Sequence, residues 1–382
     1  EQRHWLALTL VPGVGTTRFV RLLARFGSPG GVLGASEADL EDIVGQNLAR
    51  RIRSHRETVD LEAQVEAMAR YDVQLVTMDD PAYPQRLAEV YDPPLALFVR
   101  GALHESDYFG IALVGTRRAT PYGLRMAEQL AGQLAARGVT VVSGLAAGID
   151  AAAHQGALDA GGRTLAVLGC GVDVVFPSEN AALMQGVIEH GAVISPFPMG
   201  MKPLKGNFPQ RNRIISGLCM GTLVIEAPPG SGALITARTA AEQGREVFAV
   251  PGQVGNRNSL GPHALIREGA KLVESAEDML VELELPTAAR QPVERRPETA
   301  APAPATPQAT APKPAKPAPA APAPPVSEVE KDVLSALGPD GSFVDEIALA
   351  CRISVSEALS SLTMLELKGL VRQFSGKRFA PR

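Results

Sequence analysis

Three arginines stand next to glycines, small residues and aromatic side chains, a combination suited to holding a phosphate chain. Arg117 lies in GTRRATPYG at residues 115–123, and Arg211 and Arg213 lie in NFPQRNR at residues 207–213. A guanidinium forms bidentate hydrogen bonds with phosphate oxygens. An aromatic ring nearby offers a face on which an unstacked base can lie. These segments favour an anion-binding surface of the kind that a sugar-phosphate chain requires.

The first of these segments follows a short apolar run, and we expect its glycine to let a ligand approach the backbone. Gly115 has no side chain, and a helix is predicted to begin near Pro121. Free amides and the dipole at a helix start favour an anion. Arg117 would add a charged contact. A surface loop with solvated arginines is an equal alternative for this segment taken alone.

A second segment, SGLAAGID at residues 143–150, has the small residues that leave room for a ligand. Ser143 can donate a hydrogen bond to a phosphate oxygen, and Asp150 stands where a helix N-cap is expected. Asp150 and His154 are four residues apart on one helix face, which raises the possibility of a triad with Ser143. No G-x-S-x-G motif surrounds Ser143, so we disfavour a hydrolase. Ligands for a metal ion are also too few.

A third segment, FPSEN at residues 176–180, adds an aromatic ring and an amide. The arginines of NFPQRNR raise a geometric question, because positions 211 and 213 lie about 200° apart on a regular helix. Both arginines can contact the same sugar-phosphate chain if the segment begins as a loop or if the two side chains flank a groove. Otherwise one of the two has a structural role.

Motifs for nucleotide-dependent chemistry are missing. There is no GxxxxGK[ST] and no GxGxxG after a strand, so we expect neither ATPase activity nor a dinucleotide cofactor. The three cysteines form no CxxC, and we predict neither zinc nor disulfides. PGSGALIT at residues 229–236 resembles the PGGxGTxxE loop of Rossmann-like phosphoribohydrolases but lacks its glutamate. We therefore expect that this protein binds no cofactor and is not an enzyme. A Rossmann-like phosphoribohydrolase is the alternative.

The elements around these loops alternate in type. Short apolar runs occur at residues 111–114, 140–142, 164–168, 192–194, 222–225 and 247–250, and helical patterns occur at 123–137, 151–160 and 233–243. Apolar strands that alternate with helices are typical of a parallel sheet covered on both faces. Ligands bind such sheets at the carboxyl ends of the strands. The fold class is therefore α/β, with an extended Rossmann-like sheet at its core.

Composition divides the chain into four parts. Residues 1–70 are predicted to be helical and contain VPGVG, and residues 71–285 hold the sheet. Residues 286–325 include 13 prolines and 13 alanines, which predicts an extended linker. Residues 326–382 show three helical patterns and a hairpin, the outline of a winged helix.

Charge and hydropathy restrict location and partners. The net charge is −4, so basic groups for a nucleic acid must be gathered locally. We recognise no signal peptide and no run of about 18 apolar residues, and we expect a cytoplasmic protein without membrane contact.

Several longer motifs together resemble the DNA-processing protein A family, also called DprA or Smf. They are GTRRATPYG, SGLAAGIDAAAHQGAL, LGCGVDVVFPSEN, FPQRNRIISGL, EAPPGSGALIT and VFAVPGQ, in this order within residues 72–285. The resemblance implies an extended Rossmann fold and a homodimer. It also implies a single-stranded DNA-binding protein of natural transformation that loads the RecA recombinase.

The resemblance also implies roles for individual residues. It assigns phosphate contacts to Arg117, Arg211 and Arg213. The other residues expected at the DNA are Gly115, Thr116, Ser143, Gly144, Phe176, Asn180 and Asn212. Ser178 stands where many relatives have lysine. The loss of that charge implies either a lower affinity for DNA or a larger contribution from the arginines. VPGVG resembles a helix-hairpin-helix or SAM-type module, with a helix-packing turn as the alternative.

The segment HALIREGAKL at residues 263–272 is predicted to form a short helix, residues 264–268, before the last strand. Leu265 and Ile266 point about 100° apart on a helix. If Ile266 faces outward beside Leu272, the two form an apolar patch for a homodimer interface. Burial of both apolar side chains of the helix under the sheet edge is the alternative.

Overall fold

The computed structural model describes residues 1–285, 328–338, 342–351, 353–368, 370–374 and 378–381. The predicted linker at residues 286–325 lies outside the described residues. The chain divides into two units, Glu1–Glu298 and Thr299–Arg382, which we describe separately.

A mostly parallel sheet forms the centre of the first unit. Its strands are β1 Val73–Thr77, β2 Ala96–Gly101, β3 Gly110–Val114, β4 Thr140–Ser143, β5 Thr164–Val167, β6 Ala192–Ser195, β7 Gly221–Val224, β8 Glu246–Ala249 and β9 Lys271–Leu272. Their order is β1-β2-β6-β5-β4-β3-β7-β8-β9. Strands β3 to β9 pair in parallel, whereas β2 pairs antiparallel with both β1 and β6. The predicted α/β class with a parallel core is confirmed.

Helices cover both faces of this sheet. They are α8 Gln85–Ala88, α9 Pro121–Ala135, α10 Ile149–Asp159, α11 Ala181–His190, α12 Asn207–Gly217, α13 Gly232–Glu242, α14 Leu260–Arg267 and α15 Ala276–Glu282. Alternate residues of a strand point to opposite faces. Ile111 and Leu113 of β3 therefore pack with α9 and α10, whereas Ala112 and Val114 pack with α12 and α13. Burial on both faces explains why the strands are apolar throughout.

Seven helices precede the sheet. They are α1 Gln2–Thr9, α2 Thr16–Phe26, α3 Pro29–Gly34, α4 Glu37–Val44, α5 Gln46–Arg53, α6 His55–Thr58 and α7 Leu61–Arg70. Trp5 and Phe19 are buried, with ring centroids 4.5 Å apart. This core continues into the β1–β2 side of the sheet through Leu75 and Phe98. The helical character agrees with the sequence, while the helix-hairpin-helix or SAM identity of this module stays a prediction.

In the described residues of the second unit there are three helices and a small sheet. They are α16 Glu328–Ser335, α17 Val344–Cys351 and α18 Val355–Leu367, with strands β10 Ser342–Phe343, β11 Val371–Phe374 and β12 Arg378–Pro381 in the order β10-β12-β11. Val333, Ile347, Leu362 and Phe379 share one apolar core. The predicted winged helix is confirmed. Among the described residues, no helix is long and apolar enough to cross a membrane.

Candidate functional site

A pocket of about 110 Å³ lies at the carboxyl ends of β3, β4 and β5, beside the start of α12. Its lining includes Arg117, Gly144, Phe176, Phe208 and Arg211. These residues come from four separate segments of the chain. The sheet brings them together because loops that follow neighbouring parallel strands emerge at one edge.

Arg117 is the exposed cation of this pocket. Its guanidinium carbon lies 5.2 Å from the centroid of the Phe208 ring, within the range of a cation–π contact. The ring of Phe176 is 6.2 Å from that of Phe208, and 38% of Phe176 is exposed. A positive charge and two aromatic rings therefore share one small cavity.

Arg211 lines the same pocket but is only 5% exposed. Its Nη1 donates to the carbonyl oxygen of Gly144 at 2.6 Å and to that of Val167 at 2.7 Å. Burial lowers the pKa of Arg211, and the neighbouring Asp150 carboxylate acts in the opposite direction. Two backbone bonds and a buried countercharge hold this arginine in one position. Arg211 therefore forms part of the pocket wall.

Asp150 is buried next to Arg211 and the loop after β4. Burial raises the pKa of the Asp150 carboxyl, whereas Arg211 and the nearby backbone amides of Ala146 and Gly144 act in the opposite direction. The N-cap expected at Asp150 is Gly148 instead, so that prediction was wrong. Gly148 has φ +81°, and an added Cβ would lie 2.4 Å from the Thr116 oxygen. Glycine is required there because this φ and this close approach exclude a side chain.

The start of α9 is already occupied by a carboxylate. Glu226 is 2% exposed and accepts hydrogen bonds from Thr120 N at 2.8 Å and from Thr120 Oγ1 at 2.6 Å. A third bond comes from Asn258 Nδ2 at 3.3 Å. The anion that the sequence led us to expect at this helix start is therefore the side chain of the protein itself. Thr116 N donates to the backbone carbonyl of the same glutamate at 2.7 Å, and a Cβ added at Gly115 would lie 2.9 Å from that oxygen.

Two of the expected polar contacts are used within the protein. Ser143 is fully buried, and its hydroxyl donates to the Leu113 carbonyl at 2.6 Å. Asn180 Nδ2 donates to the Leu145 carbonyl at 2.9 Å, which holds the loop where Leu145 has φ +56°. In this conformation both side chains shape the loops that surround the pocket.

Arg213 and Asn212 lie apart from Arg211 on α12. Arg213 Nη2 donates to the Tyr91 carbonyl at 2.7 Å, and Arg213 lines a different groove. Asn212 is half-buried, and its carbonyl accepts the Ser216 hydroxyl at 3.3 Å. The segment is helical from Asn207, so the two arginines point in different directions as helix geometry requires.

The considered triad of Ser143, Asp150 and His154 does not form. His154 Nδ1 pairs with Thr164 Oγ1 at 2.6 Å, and the Ser143 hydroxyl is bonded elsewhere. Burial, with a smaller effect from Arg211, lowers the pKa of His154 to about 3. At neutral pH this imidazole is uncharged and a weak base. Within the described ranges, no group of three or more His, Cys, Asp and Glu side chains could hold a metal ion.

Phe208 was not among the site residues selected from the sequence, although its ring is central to the pocket. The signal was its position three residues before Arg211, because such residues share a helix face. Leu168, Gly169 and Cys170 were also missed. They follow β5, and the rule that ligands bind at carboxyl ends of strands could have found them.

The two residues expected at a dimer interface differ in exposure. Ile266 is half-buried and packs against the same core as Leu265, whereas 46% of Leu272 is exposed. Leu272 belongs to β9, which pairs with β8 and is the last strand of the sheet among the described residues. The exposed apolar surface at this edge is therefore mainly that of Leu272.

A Rossmann-like sheet with a pocket of arginine and aromatic side chains at its carboxyl edge, together with a winged-helix unit, defines a class of ligand-binding α/β proteins. Residues 74–284, more than half of the chain, match the family model of DNA recombination-mediator protein A. Residues 317–377 match the DprA winged helix domain. The chain belongs to the DNA recombination-mediator protein A family, also known as DprA or Smf.

The similarity to one relative covers the full chain. Protein Smf of Synechocystis is 34% identical over 100% of this chain and 99% of its own length. The X-ray structure of DprA from Streptococcus pneumoniae has a TM-score of 0.66 and 36% identity, covering 73% of this chain and 97% of that one. DNA processing protein A from Helicobacter pylori has a TM-score of 0.50 and 29% identity, covering 55% and 96%. That structure is described as giving insights into a unique single-stranded DNA binding mode.

Proposed function

We propose that this protein binds single-stranded DNA at the pocket formed by Arg117, Gly144, Phe176, Phe208 and Arg211. The observation that carries the proposal is the exposed guanidinium of Arg117 beside Phe208 at the mouth of a small aromatic cavity. A phosphate can bind the cation while an adjacent base enters the cavity. The single-stranded DNA binding mode described for the Helicobacter pylori relative supports this assignment.

The geometry favours a single strand over a duplex. Bases of a duplex are paired and stacked, and a protein must pull a base out of the stack before that base can enter a closed pocket. The bases of a single strand are unpaired, so they can enter the pocket without the free-energy cost of opening a duplex. Arg117 contributes sequence-independent affinity, and the aromatic rings accept any base because every base has a π-face.

We propose a binding protein rather than an enzyme. Glu226 is engaged by Thr120 and Asn258, and His154 by Thr164, which leaves neither placed as an acid–base group at the pocket. The alternative of a phosphoribohydrolase requires a glutamate in the loop at residues 229–236, and none is present. Steady release of phosphate or base above a buffer blank, lost in Asp150→Asn, would restore the enzyme alternative.

We further propose that the protein acts as a homodimer and delivers the strand to the RecA recombinase. Leu272 at the free edge of β9 supplies an exposed apolar side chain for pairing two copies. Two pockets on one dimer raise the effective concentration of each for the same strand. Protection of the strand and its transfer to RecA are what the resemblance to this family implies, and we propose them for this chain on that ground.

The test is a binding titration with single-stranded and duplex DNA of the same sequence at several salt concentrations. We expect tighter binding of the single strand and a steep loss of affinity with salt. A chain ending at Leu285 should bind the single strand like the full chain, because we propose residues 71–285 as the DNA-binding domain and residues 286–325 as a linker. Equal affinity for duplex, or loss of binding on truncation, contradicts this proposal. Acceleration of RecA filament formation on a coated strand tests the second step.

A further inference from the structure

A second groove of about 650 Å³ lies between the N-terminal helices and the sheet. Its lining includes Gly13 from the turn before α2, Thr16 and Arg18 from α2, Gln210 and Arg213 from α12, and residues 92–96. The pocket proposed above does not use this groove. Helix α12 separates the two cavities, because Phe208 and Arg211 face the pocket while Gln210 and Arg213 face the groove.

The loop beside this groove is fixed by three side chains from different elements. Arg213 Nη2 donates to the Tyr91 carbonyl at 2.7 Å, and Tyr83 Oη donates to the Pro94 carbonyl at 2.7 Å. The Thr16 hydroxyl donates to the Pro93 carbonyl. Two consecutive prolines restrict the backbone further. The result is a rigid support for the side chain of Tyr91.

Tyr91 is 85% exposed, the highest value for an aromatic side chain among the residues whose exposure the structure describes. An aromatic ring held on a rigid loop loses little conformational entropy when a flat partner stacks on it. Base–aromatic stacking is the usual way in which proteins bind single strands without sequence preference. The exposed ring of Tyr91 therefore has the properties of a stacking platform.

Three arginines lie at the groove or beside it. Arg18 and Arg213 line it, and the guanidinium of Arg51 lies next to Gly13 in the groove wall. Arg18 Nη1 and Arg51 Nη1 donate to the carbonyls of Gly13 and Pro12, at 2.9 and 3.3 Å, and the rest of each guanidinium stays available at the surface. Asp92 is the acid in the groove lining. Charge and aromatic surface together match a phosphodiester chain.

We propose that this groove is a second contact for the same single-stranded DNA, with Tyr91 stacked on a base and Arg18, Arg51 and Arg213 facing the phosphates. The inference rests on the proposed function. One strand would run from the pocket across the first turns of α12 into the groove. A helix is about 10–12 Å wide with its side chains, which corresponds to about three nucleotides at the duplex spacing of about 3.4 Å. Strands of only a few nucleotides therefore reach the pocket alone, and longer strands reach both.

The experiment measures affinity for oligothymidylates of about four and about twenty nucleotides, lengths that bracket the reach of both sites. We expect Tyr91→Ala to weaken binding of the long strand about fivefold or more and to leave the short strand unchanged. Tyr91→Phe keeps the ring and should restore wild-type affinity. Asp92→Asn removes the acid while tolerating its φ of +55°, and it should strengthen binding of the long strand.

A Tyr91→Trp variant reports contact through its fluorescence. The natural Trp5 is only 3% exposed, so bound DNA should quench the new tryptophan and leave Trp5 unaffected. We expect the fluorescence of the variant to be quenched by the long single strand and not by the short one. Wild-type affinity of Tyr91→Ala for both lengths, or equal quenching by duplex, overturns the second contact. If wild-type protein binds neither strand, the proposed function itself fails. If Arg117→Ala loses affinity while Tyr91→Ala does not, only the second contact fails.

Discussion

Arg211 and Gly144 occupy mutually dependent positions: Nη1 of Arg211 donates to the Gly144 carbonyl at 2.6 Å, and a Cβ added at Gly144 would lie 1.7 Å from that nitrogen. The same Cβ would lie 2.7 Å from a carboxylate oxygen of Asp150. The pocket wall therefore depends on the absence of a side chain at residue 144. This relationship links the backbone of the β4 loop to the buried Arg211 guanidinium, with Asp150 nearby, and so to the shape of the cavity.

Gly144→Ala should both destabilise the protein and weaken single-stranded DNA binding. Displacing a buried arginine from its partners reduces the free energy of unfolding by about 3 kcal/mol or more. Denaturant unfolding and a binding titration measure the two effects. Gly206→Ala is the matched control, because an added Cβ there meets no atom within 4 Å. If Gly144→Ala matched Gly206→Ala in both measurements, Arg211 would not be fixed as described.

Arg117→Ala should weaken binding about tenfold, by a similar factor for oligonucleotides of different sequence, because the lost contact is to a phosphate. The slope of log affinity against log salt should fall by about 0.7 for each phosphate contact removed from a single strand. The neighbouring Arg118 is also exposed but does not line the pocket, which makes Arg118→Ala the control. Equal effects of the two substitutions would indicate general charge attraction instead of a contact at the pocket.

Phe176→Ala tests the aromatic part of the site. We expect a loss of about 1–3 kcal/mol in binding free energy, typical of base stacking, with an unchanged salt slope because no charge is removed. Phe176 is 38% exposed, so the fold should tolerate the change, and thermal unfolding verifies this. Phe176→Tyr keeps the ring and should bind like the natural protein. A reduced salt slope in Phe176→Ala would show that Arg117 had moved as well.

The central strands and the meeting of their loops were predictable from the sequence, because both depend on local pattern. β3 is buried at all five positions and its sequence is apolar. β1 and β2 were missed. β1 and β2 pair with each other although α8 lies between them in the chain, and neither segment alone indicates this pairing. Gln74 also interrupts the apolar run of β1.

Within the site, the side-chain partners were harder to predict than the positions. Arg117 and Arg211 meet at the pocket because β3 ends and α12 begins at the same edge of the sheet. The occupation of the α9 start by Glu226 joins residues 106 positions apart, which no local pattern encodes. The different directions of Arg211 and Arg213 depend on where α12 begins. The sequence left that point open, since Pro209 is compatible with the first turn of a helix or with a loop.

His154 should make stability depend on pH below neutrality. Burial lowers the pKa of His154 in the folded protein to about 3, whereas an unfolded histidine titrates near 6.5. As pH falls from about 6.5 towards 3, the unfolded chain binds a proton at this residue and the folded chain does not. The free energy of unfolding therefore decreases over this window, by at most about 1.4 kcal/mol per pH unit.

The measurement is urea unfolding from pH 7 to pH 4.5 for the natural protein and for His154→Gln, which retains a polar group beside Thr164. The variant should lose stability less steeply with acidification. His190→Gln, at an exposed position, serves as the control. Parallel pH profiles for the natural protein and His154→Gln would show that His154 is protonated in the folded state as readily as in the unfolded chain.

Leu272→Glu should convert the proposed homodimer into a folded monomer. Leu272 is 46% exposed in the isolated chain and lies on β9, the last strand of the sheet, so a charge there is tolerated by the monomer but is buried without a partner in an interface. Light scattering gives the mass, and circular dichroism verifies the fold. The monomer should also bind long single strands more weakly, because two linked pockets no longer act on one strand.

Val281→Glu is the matched control, since Val281 is 58% exposed on α15 and outside the proposed interface. A natural protein of monomer mass, or a Leu272→Glu variant that remains dimeric, would place the interface elsewhere or remove it.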